Sequence, residues 1–457
     1  MWLLLACTDP DAPDEPADSA DSTATTDTTD TTDDSGTTDT GTRPRGPALV
    51  FEQPPTNLLV VSIDTLRRRS LGRYGAGITS PFLDGLAADG VVLDDHMTCS
   101  NWTLPGVLCT LAGRQFGDLG VVPRHTDGLS TGGLPDGAKV LSMWLSDAGY
   151  STGLVSTNVN LSASFFGSAY EYEQLLSGEP ALEIVDAALQ QIDDQRAEGR
   201  PWMTHAHFMD VHGPYDPPEA YLGLLDGRPP LLWDLSTGEG TFALAQAWET
   251  LDEATRLEAM TQLTIRYEAQ ITYLDAELRR FWDELEAAGA LDDTLVLVWS
   301  DHGEQLLEHG SIGHQGTLFA PESDGVAFWW AHGLAPVAWA EPTSSIDLAI
   351  TTLDALGLPI PEEVRGDVVG TADPTRPRYG MFWPGAQPPL VLAQVGPDQL
   401  MYRFSGGVQL YRRDIDPDQL NDAYDPDDPD VLALWDALDP YVTQIADLTG
   451  ETPLPPE

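Results

Sequence analysis

Basic side chains are scarce in this chain: 22 Lys and Arg stand against 73 Asp and Glu, giving a formal net charge of −51 over 457 residues. That balance argues against a nucleic-acid partner, because phosphate-backbone binding draws on a basic face. Cysteine is nearly absent too, with only Cys7, Cys99 and Cys109. None of them forms a CxxC pair or a Cys/His ligand spacing, so no structural zinc module is encoded. Cys99 and Cys109 read as two small buried residues; spacing alone does not deduce a disulfide between them. Long apolar runs are missing as well. No segment approaches the ~20 residues that a transmembrane helix needs.

One stretch lacks apolar side chains almost entirely. From Thr8 to Thr42 the chain is almost wholly Asp, Thr, Ala, Pro, Ser and Gly, with 11 acidic residues and no Lys or Arg. Such a tract cannot bury enough surface to offset the entropy of ordering it. Residues 8–50 therefore read as a disordered tether. Ahead of it, Leu4-Leu5-Ala6-Cys7 resembles a bacterial lipobox, in which the Cys is lipidated. Its apolar part falls short of the usual ~7–15 residues of a signal, so residues 1–7 read as the end of a truncated lipoprotein signal. The expectation is an exported protein, lipid-anchored at the bacterial cell envelope or surface, that meets a membrane only through that anchor.

Against these absences stand two nearly continuous apolar runs, Asn57–Ile63 and Thr294–Ser300, as strands buried on both faces of a parallel sheet require. The first ends on Asp64 and the second on Asp301-His302-Gly303. Open α/β sheets bind ligands at the carboxyl ends of their strands, so the two runs predict one metal-grade site assembled by the fold. Helical spacing appears at Leu182, Val185, Leu189 and Ile192. It recurs at Tyr267, Ile271, Leu274, Leu278, Phe281 and Leu285, with Gly289 as a stop. Further strands are expected over 151–157, 202–209 and 326–331. This alternation predicts an α/β fold with a largely parallel sheet over residues 51–375. From 376 to 457 the pattern changes to short strands at 390–395, 400–404 and 408–412 and a helix over 431–446, a small antiparallel C-terminal subdomain.

Between the metal-grade strands lies Ser100-Asn-Trp-Thr103-Leu-Pro105, running to Gly113. Thr103 is placed as a helix N-cap, Pro105 in the first turn and Gly113 as the stop. A hydroxyl there feels the positive end of the macrodipole and the free N–H groups, which is an anion site. His205 and His207 alternate along a strand and read as satisfied packing residues. His96, His125, His309 and His332 read as surface or loop residues.

Five segments in order carry a family likeness: Ser62-Ile-Asp64-Thr-Leu-Arg67 with Ser80-Pro-Phe-Leu-Asp84; Trp102-Thr103-Leu-Pro105; Phe208-Met-Asp210-Val-His212-Gly-Pro214-Tyr215; Asp301-His302-Gly303-Glu304 with Gly313-His314; and Leu410-Tyr-Arg-Arg-Asp414 through Asp418. Together they resemble the sulfatase family of the alkaline phosphatase superfamily, over about residues 55–425. The resemblance implies an alkaline-phosphatase-like sandwich, with a large mostly parallel sheet between helices. It implies one divalent metal ion on Asp64, Asp301 and His302, with Thr103 as fourth ligand and as nucleophile. His212 and His314 would hold substrate oxygens or protonate the leaving group, and Asn158 would line the pocket.

The departures are informative. Sulfatases proper convert a Cys or Ser to formylglycine; aligned on Pro105 that position is Thr103, followed at the motif's Ser and Arg positions by Gly106 and Val107. Thr cannot form formylglycine, so the resemblance is to a Thr-nucleophile variant. Thr65 replaces the second Asp of the family pair, which moves the metal preference from calcium or magnesium toward manganese or zinc. The expected function is a hydrolase of a sulfate or phosphate ester on a small molecule, glycan or lipid, through a covalent threonine ester. The alternatives are a transferase similar to the phosphoethanolamine and phosphoglycerol branch, and a binding protein that Val107 has deprived of turnover.

Overall fold

A computed structural model describes residues 46–456 apart from 127, 128, 179, 315, 384 and 386; Cys7 and the tether as far as 45 lie outside the described residues. Eight strands build the main sheet: β1 (Asn57–Ile63), β2 (Val91–Leu93), β3 (Ser151–Ser156), β4 (Tyr172–Leu175), β5 (Trp202–Phe208), β6 (Thr294–Ser300), β7 (Ala327–Trp330) and β8 (Val337–Trp339). Their spatial order is β8-β2-β7-β6-β1-β5-β3-β4. β7 runs antiparallel to both its neighbours, and the other pairings are parallel.

β1 sits at the centre, and its side chains alternate between two cores. Leu58 and Val60 face one, Leu59, Val61 and Ile63 the other. That is why the run is continuously apolar rather than alternating. On the first face pack α2 (Thr103–Ala112) and α5 (Ile346–Ala355), through Leu104, Leu108, Leu348 and Leu353. On the second lie α1 (Pro81–Ala88), α3 (Ala181–Ala197) and α4 (Glu253–Ala287). All six expected positions of α4 are buried, and Gly289 stops the chain beyond it with φ 61°. The stripe on α3 is rotated from the expected one: Leu182 is exposed, and Ile184 and Ala188 join Val185 and Ile192 in the core.

The C-terminal sheet has four strands, β9 (Arg378–Phe382), β10 (Leu390–Val395), β11 (Asp398–Arg403) and β12 (Val408–Arg412), paired antiparallel in order. α6 (Pro429–Thr449) covers it. Its core also takes in Cys99 and Cys109, which form a disulfide, so this pair is bonded rather than merely buried. At the other end, Gly46 and Ala48 donate backbone hydrogen bonds to Gly370 and Val369, and Leu49 is buried. The packed chain thus begins by residue 46, a few residues before the expected end of the tether. Among the described residues no helix is long and apolar enough to cross a membrane.

Candidate active site

Asp64 follows β1 directly and Asp301-His302 follow β6. The register pairs Ile63 with Ser300, so the two aspartates emerge side by side. Asn158 comes two residues beyond β3, and His212 follows β5. The carboxyl ends of four parallel strands therefore converge on one crevice, as open α/β sheets arrange their ligand sites.

Asp64, Asp301 and His302 are wholly buried, and each offers one ligand atom within 4.8 Å of the others'. Asp64 Oδ1, Asp301 Oδ2 and His302 Nε2 have no hydrogen-bond partner. Leaving three such atoms dry and unpaired costs several kcal/mol by about 1–3 kcal/mol each. A divalent cation fits this donor set: two carboxylate oxygens and one imidazole nitrogen converge with nothing else to bind.

The electrostatics agree. Burial disfavours charge on Asp64, yet the neighbouring His207, His212 and His302 imidazoles hold it below the usual carboxylate range. Burial and then the Asp64 charge push Asp301 well above that range. Two buried like charges this close cannot both ionise without a cation. Burial, with His314 nearby, takes His302 down to about 3, leaving a neutral ring suited to ligation.

Thr103 is the first residue of α2 rather than its N-cap; Trp102 holds the cap position and makes no side-chain cap bond. The Thr103 hydroxyl instead donates to Asp64 Oδ2 at 3.1 Å, since a carboxylate is the stronger acceptor. Asn158 Nδ2 donates to the same oxygen at 3.0 Å and to Thr103 Oγ1 at 3.3 Å. Gly106 lets the helix come this close: a Cβ there would lie 2.7 Å from the Asp301 carbonyl oxygen. Val107 is buried in the core and does not line the crevice. Thr65, at the position of the family's second aspartate, holds φ 58°, a strained conformation for a β-branched residue. Its carbonyl accepts from Tyr267 and its N–H donates to Asp301 Oδ1 at 3.3 Å.

Thr103, Asn158, His212 and His314 line one cavity of about 360 Å³, walled by Trp102, Met209 and Phe382. The His314 ring stands 4.5 Å from that of His302 and 5.2 Å from that of His212, centre to centre. Burial lowers the basicity of His314, but its bond to Glu304 at 3.4 Å and that residue's charge raise it above the ordinary imidazole range. All seven residues expected at the site are therefore gathered here. The sequence reading missed Asn160 and Met209 in the lining, and three more residues whose contacts are instructive. His125 lies at the cavity edge-on to Trp102, a contact between strand and loop that no spacing encodes. Phe382 comes from the C-terminal sheet. His207, read as a satisfied packing residue, directs an unpartnered Nε2 toward Asp64 Oδ2 at 3.5 Å.

Comparison with known proteins decides the family, since the sulfatase family model matches residues 56–358. The chain belongs to the sulfatase family. A choline-sulfatase of Rhizobium meliloti (strain 1021) is 31% identical over 163 residues, 34% of this chain and 31% of that protein. Arylsulfatase A of Bos taurus is 24% identical over 401 residues, 73% of this chain and 71% of that protein. The choline-sulfatase and an arylsulfatase of Clostridium perfringens (strain 13 / Type A) are aligned over only about a third of their own lengths, 31% and 37%. Among solved structures, one in complex with its substrate D-glucosamine-2-N,6-O-disulfate superposes with TM-score 0.68 at 15% identity, over 86% of this chain and 99% of that one. The phosphonate monoester hydrolase of Agrobacterium radiobacter gives 0.63 at 19%, over 87% and 96%. At these identities the likeness is one of fold, and it covers the α/β sheet and the C-terminal sheet together.

Proposed function

We propose that this member of the sulfatase family is a metal-dependent hydrolase of a sulfate or phosphate ester, with Thr103 as a covalent nucleophile in place of formylglycine. The observation that carries the proposal is the Thr103 hydroxyl, held at 3.1 Å from Asp64 on the rim of the unpartnered Asp64, Asp301 and His302 donors. A divalent cation on these three residues would lower the hydroxyl's pKa and neutralise charge on the transferred group. The mixed carboxylate and imidazole set favours manganese or zinc over calcium or magnesium.

The chain's own residues supply the rest. The Asp64 and Asn158 bonds fix the Thr103 oxygen facing the cavity, where it gives its proton to Asp64 Oδ2, the acceptor it already faces, and bonds to sulfur or phosphorus as the bond to the leaving oxygen breaks. His314, whose hold on a proton Glu304 strengthens, stands where it can give that oxygen a proton, and His212 packs beside it. Water then cleaves the threonine ester. Trp102, Met209 and Phe382 make an apolar wall that suits the organic part of the ester. The described lining holds no Lys or Arg, which favours a singly charged ester, whether sulfate ester, phosphate diester or phosphonate monoester. A small molecule, glycan or lipid could carry it.

Export with an anchor at Cys7 remains part of the proposal. The Cys99–Cys109 disulfide supports it, because such bonds persist in oxidising compartments.

The test is turnover of aryl sulfate, phosphate monoester, phosphate diester and phosphonate monoester panels with manganese, zinc or calcium. Mass spectrometry of acid-quenched reactions should find the sulfuryl or phosphoryl group on the peptide containing Thr103. Turnover that survives Thr103→Ala would overturn the covalent step, and product trapped on an added alcohol would identify a transferase.

A further inference from the structure

Behind Asp64 a chain of four polar side chains runs through the sheet. The Tyr170 hydroxyl lies 2.8 Å from His205 Nδ1. His205 Nε2 lies 2.7 Å from Ser62 Oγ, and Ser62 Oγ 2.7 Å from His207 Nδ1. His207 Nε2 then faces Asp64 Oδ2 at 3.5 Å. Ser62, His205, His207 and Asp64 are all wholly buried. Register explains the contact: Ser62 on β1 pairs with His207 on β5, and Asp64 is the second residue beyond Ser62. Alternation then puts His205 on the same face as His207.

The direction of this chain is fixed at its end. Asp64 has only acceptor atoms when ionised, so the ring nitrogen facing it must carry a proton. With Nε2–H on His207, its Nδ1 accepts from the Ser62 hydroxyl. Ser62 in turn accepts from His205 Nε2–H, and His205 Nδ1 accepts from the Tyr170 hydroxyl. Each proton of the chain then has a place, in keeping with the burial that holds His205 well below the ordinary imidazole range. The opposite direction would aim a lone pair at a carboxylate.

From this geometry we infer that His207 is a positioning residue for the metal centre: its Nε2–H, oriented by the Tyr170–His205–Ser62 chain, holds Asp64 Oδ2 so that Oδ1 faces Asp301 and His302. The inference rests on the reading of Asp64 as a metal ligand. Oδ2 then receives the Thr103 and Asn158 bonds and faces His207 Nε2 at 3.5 Å, and Oδ1 is the oxygen left for the cation. With Thr65 at the second carboxylate position, Asp64 has no neighbouring acid to share its role. A donor fixed from behind supplies the orientation instead.

The test needs no turnover. Nitrogen NMR of the metal-free, histidine-labelled protein should show His205 and His207 as Nε2–H tautomers; an Nδ1–H form of His207 overturns the inference. Calorimetric titration with manganese and zinc should show affinity lowered about 10–100-fold in His207→Phe. His207→Gln, which keeps a donor near the Nε2 position, should regain most of it. Ser62→Ala keeps both rings and removes their link, so it should lower affinity in the same direction even if His207→Phe does not fold. Wild-type affinity in both variants overturns the inference. Wild-type protein that binds metal but turns over no ester would sink the proposed function and leave this one standing.

Discussion

Two buried polar clusters flank the segment Asn101-Trp102-Thr103, and they are built on opposite principles. On one side Asp64, Asp301 and His302 leave three atoms unpartnered around a common point. On the other, Glu322 is equally buried, but each of its oxygens has a donor. Asn101 Nδ2 reaches Oε1 at 3.1 Å, and Gln305 Nε2 reaches Oε2 at 3.0 Å, with the Thr317 hydroxyl on the same oxygen. Asn101 also donates to the Thr317 carbonyl at 2.7 Å and the His314 carbonyl at 3.4 Å. The second cluster is a strut that ties the loop carrying His314 to the loop carrying Thr103. The first presents three donors to a cation. Burial alone does not separate the two; Asn101 Oδ1 and Gln305 Oε1 are unpartnered as well, and the difference is that both oxygens of the Glu322 carboxylate find donors while Asp64 and Asp301 each keep one that does not.

Breaking the unsatisfied cluster should have the largest effect. Asp301→Asn is expected to cut kcat/KM by roughly a thousandfold or more, as removal of metal-assisted catalysis does. The same change should raise the thermal midpoint of the metal-free protein, because it removes a carboxyl whose ionisation burial and the Asp64 charge oppose. Thr103→Ala should match it in activity loss while keeping metal binding, a split that steady-state rates and calorimetry would show. Either variant retaining wild-type rates would break the comparison.

His314→Gln comes next, with a loss of about 10²–10⁴-fold on esters of poor leaving groups, the usual range for a general acid. On aryl esters, whose leaving group needs no proton, the loss should be much smaller. An equal loss on both classes would remove His314 from that role.

Much of this was legible in the sequence, and the reasons differ by element. β1 and β6 could be read because strands buried on both faces have little polar alternation to blur them, and both run directly into residues that gather at the crevice. Thr103 was legible from motif order, but the N-cap role expected of it does not hold, because the competing acceptor, Asp64, lies on another element. His207 was missed for the same kind of reason. Its partner Ser62 is fixed by strand register, which one sequence does not display. The antiparallel direction of β7 and the docking of Gly46–Leu49 likewise depend on contacts with remote segments.

The Glu322 cluster should respond in stability more than in activity. Burial outweighs its three donors and raises Glu322 from 4.5 to about 7. The sign follows from linkage. Below pH 4.5 both states hold the proton and nothing is lost. Between 4.5 and about 7 the unfolded chain releases it first, and above 7 the folded state carries a penalty of about 3 kcal/mol. Glu322→Gln should therefore have a flatter thermal-midpoint profile than wild type across that window, with kcat changed only a few-fold. A wild-type profile that does not fall relative to the variant would show that the donors fully offset burial. The smallest effect is expected at the far end of the same loop. Cys99→Ala, which opens the disulfide beside α2, should cost about 2–3 kcal/mol in chemical denaturation and leave metal affinity unchanged.

The most direct measurement is the divalent-metal stoichiometry of the purified full-length protein, beside that of Asp301→Asn. The unpartnered cluster predicts one ion per chain in wild type and none in the variant. A wild-type chain that binds neither manganese, zinc, calcium nor magnesium, or an Asp301→Asn chain that binds as well as wild type, would contradict it.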